Sequence, residues 1–240
     1  MNAAPLTIVP SGGRSDRSDR FTALLNETSP EARLARVEAA TRPAHPALAP
    51  VLPDGRLPRG AVVTVQRDMS LLLALAGGAV TRHDWVSIIG MPTVGLSAAE
   101  AYGIPLDRTV LVEDPAQHWA LAAAELAPAT PLMLLQRTSP APPRQLRRLE
   151  AILRETGTTL LTPDPWEGAV LTLSVADIRT HGVGDGWGMV SHREVTVHCS
   201  GRGRVRPRSL RLLLPGPDGT AQPLAPAVEQ TTDAVDAATA

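Results

Sequence analysis

AVVTVQRDMSLLLALAGGAV, residues Ala61 to Val80, decides the fold. Ala61 to Val65 is an unbroken apolar run, the text of a strand buried on both faces of a parallel sheet. Met69 to Val80 follows with helical length and no β-branched run. The same alternation continues downstream. Strands are predicted at Trp85–Met91, Thr109–Asp114, Pro131–Gln136 and Thr158–Thr162. Helices are predicted at Val94–Gly103, Pro115–Leu126 and Pro142–Gly157. The last carries Leu146, Leu149, Ile152 and Leu153 on one face. Alternating strands and helices from 61 to 162 mean a parallel sheet with right-handed crossovers and helices on both faces. The pattern then changes. Ala169–Arg179, Arg193–Ser200 and Ser209–Pro215 are strands without helices between them, so they extend the sheet antiparallel.

Outside this core the text is polar or Pro-rich. Residues 1–29 include RSDRSDR and read as a disordered arm. SPEARLARVEAA begins a short helix over 30–40, with Ser29 as cap and Pro30 at the first helical position. Leu34, Val37 and Ala40 make a narrow apolar stripe. Such a stripe usually packs on its own domain; the alternative is a docking helix for a partner. A Pro-rich linker then runs to Gly60. Three regions result: an N-terminal arm with helix and linker (1–54), an α/β domain (55–219), and an acidic disordered tail (220–240) containing Glu229, Asp233 and Asp236.

Composition excludes several chemistries. All 23 basic residues are Arg, so no Lys-dependent step is available. The net charge of −1 provides no global field for nucleic acid. One cysteine, Cys199, rules out an internal disulfide. No signal peptide or membrane span is read, and a cytoplasmic protein is expected. GVGDGWG (Gly182–Gly188) fails the dinucleotide spacing and reads as a hairpin tip. His181, His192, His198 and Cys199 lie close in sequence without a ligand spacing, and His198 and Cys199 should face opposite sides of a strand. No G-x-S-x-G elbow occurs. No cofactor and no metal are expected.

A parallel βα sheet ending in antiparallel strands is the layout of RecA-type nucleotide-binding cores, which hold phosphate on the loop after the first strand. Here that loop reads QRDMS. Aligned on the helix start, only Ser70 is retained. Met69 stands where Lys would be and Asp68 where Gly would be, and no glycine lies between Gly60 and Gly77. The second strand ends IIGMP rather than in a carboxylate. The fourth ends in Gln136 and Arg137 rather than a magnesium-linked Asp. A structural pseudo-ATPase without enzymatic activity is the reading. The one charge anomaly is basic: Arg193, Arg202, Arg204, Arg206, Arg208 and Arg211 against Glu194 alone. It is either a solvated hairpin loop or a contact for DNA or an acidic partner face. Trp85 and Trp119 are expected in the core.

LPRGAVVTV, SLLLALAGGAV, WVSIIGMPTVGLSAAEAYGIPLDRTVLVEDP, WEGAVLTLSV, the GWG hairpin, REVTVHCSGRGR and LLLPGPDG together resemble the actinobacterial ImuA-prime group, over roughly residues 55–219. The resemblance implies a degenerate RecA-like accessory protein of a damage-inducible mutasome. Its implied partners are an ImuB-like Y-family polymerase homologue and, indirectly, an error-prone replicative-type DNA polymerase. Direct DNA contact would be weak, with nucleoid association when assembled on DNA. The family has no catalytic residues to transfer. The expected function is therefore a non-catalytic adaptor in translesion synthesis during the SOS response. The alternatives are a damage-induced cell-division inhibitor-like protein and, third, a DNA-binding recombinase-like ATPase.

Overall fold

Residues 30–184, 187–203 and 205–224 are described by the structure, a computed structural model. Helix α1, Pro30–Ala40, lies in a first compact unit that ends at Arg42; Leu34 on it is 61% exposed. The second unit starts at Pro43 and holds everything that follows. The expectations for residues 1–29 and 225–240, including Ser29 as a cap, fall outside the described residues.

Strand β1 is Val62–Gln66, and its first four residues are buried. Successive side chains point to opposite faces of the sheet. Val63 and Val65 enter one apolar cluster, while Val62 enters another with Trp119, Leu153 and Leu160. The continuous apolar runs are thus needed because the sheet is covered on both sides. The parallel strands β2 (Val86–Ile89), β4 (Leu132–Leu135) and β5 (Thr159–Thr162) are buried throughout; β3 (Thr109–Val112), at the sheet edge, is half-buried. Helix α2, Met69–Gly78, buries six consecutive residues from Leu71 to Ala76, so it has no polar face at its centre. Each buried Leu there contributes roughly 2 kcal/mol through removal from water.

Helix α3 is Leu96–Ala101. The segment from Pro115 begins as a short 3-10 turn and becomes helix α4 only at Trp119–Leu126. Helix α5, Pro143–Thr156, buries Leu149 and Leu153 and stops at Gly157, whose φ of 71° allows its N–H to bond the Leu153 carbonyl. Strands β6 (Leu171–Gly184) and β7 (Trp187–Gly201) form a long hairpin, followed by β8 (Arg208–Leu213) and β9 (Gln222–Pro223). The resulting nine-stranded sheet has the order β9-β8-β7-β6-β1-β5-β4-β2-β3. The pairs from β6 through β3 are parallel, and the three pairs from β9 to β6 are antiparallel. The α/β class and the antiparallel extension agree with the sequence reading.

Three expectations change. The Pro-rich stretch before Gly60 is not a solvated linker: Leu48, Val51, Leu52 and Leu57 are all 0% exposed and join the core on the α2 side. Prolines there set short 3-10 turns at Ala49–Val51 and Pro53–Gly55 that aim these side chains inward. Residues 220–224 are likewise in place, with Ala221 buried and Pro223 paired with Leu212. Trp119 is buried as expected, but Trp85 is 44% exposed with the Arg108 guanidinium 5.8 Å from its ring.

Candidate functional site

In open α/β sheets, clefts form outside the carboxyl ends of parallel strands. Here a cleft of about 770 Å³ opens there, between the ends of β1, β4 and β5 and the start of α2. Gln66, Arg67, Asp68 and Met69 form one wall, Gln136 the back, and Pro163, Asp164 and Pro165 the other wall. The first wall is the loop QRDMS, which follows the first strand.

Asp68 is the N-cap of α2, and its Oδ1 accepts the Leu71 N–H at 2.8 Å. Its Oδ2 accepts from Arg193 Nη2 at 2.9 Å, with the carboxylate side chain only 8% exposed. Arg193 is held further by donation from Nε to the Leu214 carbonyl at 2.9 Å. Its backbone N–H bonds the Pro215 carbonyl at 2.9 Å. A helix N-terminus attracts anions through its free N–H groups and dipole. In this protein the chain's own carboxylate already occupies that position, and an arginine neutralises it. Arg67, just before it, has φ of 49°, so the loop turns sharply at a non-glycine residue.

Across the cleft, Asp164 Oδ2 accepts the Arg137 backbone N–H at 2.6 Å and lies 3.6 Å from Arg137 Nε. The Arg137 Nη2 donates to the Pro165 carbonyl at 3.0 Å, and its guanidinium sits 5.8 Å from the Trp166 ring. Trp166 Nε1 donates to Glu150 at 2.7 Å. The loop after β5 is therefore clamped onto the end of β4 and the middle of α5.

The six-arginine segment does not form one open cationic patch. Arg193 serves the cleft wall. Arg211 pairs with Glu194, and Arg208 donates to the Leu52 carbonyl at 2.7 Å. Arg202 and Arg206 are exposed on the turn between β7 and β8, and Arg204 lies outside the described residues. That turn is at the amino end of the parallel strands, opposite the cleft.

Of the histidine and cysteine group, His181 and His192 face each other across the hairpin with rings 4.4 Å apart and 6° from parallel. His198 is exposed and bonds Ser209, while Cys199 is buried on the other face of the strand. Among the described residues, no group of three or more His, Cys, Asp or Glu side chains is placed to hold a metal ion. Burial pushes the Cys199 thiol up to about 11, with Arg208 pulling weakly the other way. The thiol stays protonated at neutral pH and is a poor nucleophile. Reaction of Cys199 with a disulfide reagent at pH 8 should be suppressed at least tenfold in the native protein relative to the protein in urea. Equal rates in the two states would show that the β7 strand is not packed as described.

The Asp68 cap had a sequence signal, because Asp before an apolar helix is a favoured N-cap. Arg193 had none, since it is 125 positions away.

Residues 50–168 match the family model of the MT3502 N-terminal domain. The uncharacterized protein Rv3395c of Mycobacterium tuberculosis is 31% identical over 123 residues, which is 49% of this chain. The chain covers 59% of the length of that curated relative. Similarity to a mycobacterial protein agrees with the Arg-only, Ala-rich composition. Among the described residues, no helix is long and apolar enough to cross a membrane.

Proposed function

We propose that this chain is a non-catalytic adaptor with a degenerate RecA-like core, working in an error-prone translesion synthesis complex. The observation that carries the non-catalytic half is the Asp68 carboxylate. It sits on the helix N-terminus where a RecA-type core would place phosphate, and it is both hydrogen-bonded and ion-paired. A nucleotide phosphate arriving there would find the Leu71 N–H already taken by a carboxylate that is ion-paired with Arg193. The parallel sheet with its antiparallel extension and the cleft at the end of β1 support the RecA-like layout. The adaptor role rests on the resemblance to the ImuA-prime group, whose members act beside an ImuB-like polymerase homologue.

Calorimetric titration with ATP and magnesium should show no binding, and micromolar affinity would overturn the pseudo-ATPase reading. Co-purification with the ImuB-like polymerase homologue tests the adaptor role; failure of the two to associate in any salt would sink it. Among the described residues of the basic segment, Arg202 and Arg206 are exposed on the turn between β7 and β8, whereas the exposed Arg208 and Arg211 are tied to the Leu52 carbonyl and to Glu194. Changing Arg202, Arg204 and Arg206 together to Ala should leave the melting temperature within a few degrees, since exposed loop changes cost little. It should remove the salt-sensitive part of binding to DNA or to that polymerase. Identical salt slopes for wild type and triple variant would make the turn an ordinary solvated loop.

A further inference from the structure

Strand β9 sets the course of the last described residues. Gln222 and Pro223 pair antiparallel with Leu213 and Leu212 of β8. β9 therefore runs back toward Arg208 at the start of β8, the end that carries the basic turn between β7 and β8. The same register puts Leu224 beside Arg211, three strand positions from Arg208. That distance is roughly 10 Å. Residues 225–240 follow, outside the described residues. Their sequence holds Glu229, Asp233 and Asp236 and no Arg. The chain from Leu224 to Glu229 can span up to roughly 17 Å, enough to bring that carboxylate to the turn.

The turn keeps a positive excess. Arg202 shares a surface groove with Arg147, Glu150 and Glu167, and these four charges sum to zero. Arg206 is exposed, and Arg208 donates to the Leu52 carbonyl, a neutral acceptor. Asp54 and Arg56, just after Leu52, bear opposite signs. Arg204, outside the described residues, adds a further positive charge. Elsewhere on these strands the charges already pair within the chain, Arg193 with Asp68 and Arg211 with Glu194.

We propose that the acidic segment from Glu229 to Asp236 lies against the basic turn of its own chain and screens Arg206 and Arg208 from other polyanions. The direction of β9, the reach of the chain beyond Leu224 and the opposite signs of charge all point to this occupant. A single exposed ion pair is weak. A tether of a few residues, however, holds the segment at a local concentration in the millimolar range, so weak pairs suffice. A contact made of exposed charges is lost as salt rises. An outside polyanion has to displace the segment before it reaches the turn. That consequence rests on the polyanion role proposed above for the turn; the contact itself does not.

A nitroxide spin label on Ala234→Cys in the full chain provides the test. Cys199 is buried with its thiol pushed up to about 11, so the label attaches at position 234. At low salt the amide NMR signals of Arg202, Val205 and Arg206 should lose most of their intensity. Those of Gly90 and Gln136, at the opposite end of the sheet, should keep theirs. Near 1 M salt, where the screening length is about 3 Å, the turn signals should recover. Arg202→Glu with Arg206→Glu should abolish the broadening, and adding Glu229→Arg, Asp233→Arg and Asp236→Arg should restore it. Full turn intensity at low salt overturns the proposal, as does broadening that survives the two Arg→Glu changes. A second arm measures binding of a single-stranded oligothymidine. Glu229→Gln with Asp233→Asn and Asp236→Asn should tighten it on the order of tenfold at low salt and not at high salt. Unchanged oligothymidine binding beside a broadened turn upholds the contact and sinks only the reading of the turn as a DNA site.

Discussion

Asp68→Ala should lower the free energy of unfolding by about 3 kcal/mol. The loss has two parts. Removing an N-cap costs about 1 kcal/mol, because the Leu71 N–H loses its acceptor. The rest comes from stranding Arg193, whose side chain is only 22% exposed, beside the vacated carboxylate position. Asp68→Asn separates the two, since Asn caps nearly as well but carries no charge. It should fall between wild type and Asp68→Ala. Arg193→Ala should destabilise comparably, and the double variant should cost less than the sum of the singles by about 1 kcal/mol or more. Urea unfolding of wild type and the four variants reads this directly. Strictly additive losses below about 0.5 kcal/mol each would mean that the pair is not a structural tie. The same experiment assigns Arg193: its loss should shift the unfolding midpoint and leave the salt dependence of any DNA binding unchanged.

Gly77→Ala should destabilise by about 3 kcal/mol, the upper part of the usual overpacking range. By propensity alone the sign would be opposite, since Ala in a helix is favoured over Gly by about 1 kcal/mol. The reversal comes from the end of α3. A Cβ on Gly77 would lie 1.8 Å from the Tyr102 carbonyl oxygen and 2.6 Å from its carbon. Both are backbone atoms, so the two segments would have to separate. Gly78→Ala meets the same obstacle at the His45 backbone nitrogen, 2.1 Å away. Gly95→Ala serves as the control, because its Cβ would meet only the Ala98 Cβ at an ordinary 3.6 Å. Thermal unfolding of the three variants is the measurement. If Gly77→Ala were as stable as Gly95→Ala, the close approach of α2 to Tyr102 would be wrong.

These glycines show where reading the sequence stops. GG at 77–78 reads as a weak end to a helix, whereas its purpose is room for two backbones that arrive from elsewhere in the chain. The Pro-rich stretch before Gly60 is a similar case. Its prolines read as a linker, yet Leu48, Val51 and Leu52 are buried. Proline content reports the absence of regular hydrogen bonding, and a short turn without it can still carry a leucine into a core.

The sequence by itself determined the alternation of strands and helices, and hence the mostly parallel α/β sheet. Apolar runs such as Val62–Val65 and Leu132–Leu135 are periodic signals that each segment carries locally. It also determined that the loop after β1 lacks the residues of a phosphate site, because composition and spacing are local too. Tertiary structure alone decided the partners of charged groups and the shape of the open end of the sheet. Arg193 looked like one of six free arginines until folding placed it 2.9 Å from Asp68. Trp187 looked like a hairpin turn residue until the pairing of β1 and β8 stopped short and left it standing clear. An ion pair across 125 positions, or a ribbon that outruns its neighbours, depends on where whole strands end relative to one another. That relation comes from the packing of both sheet faces, which no single segment encodes.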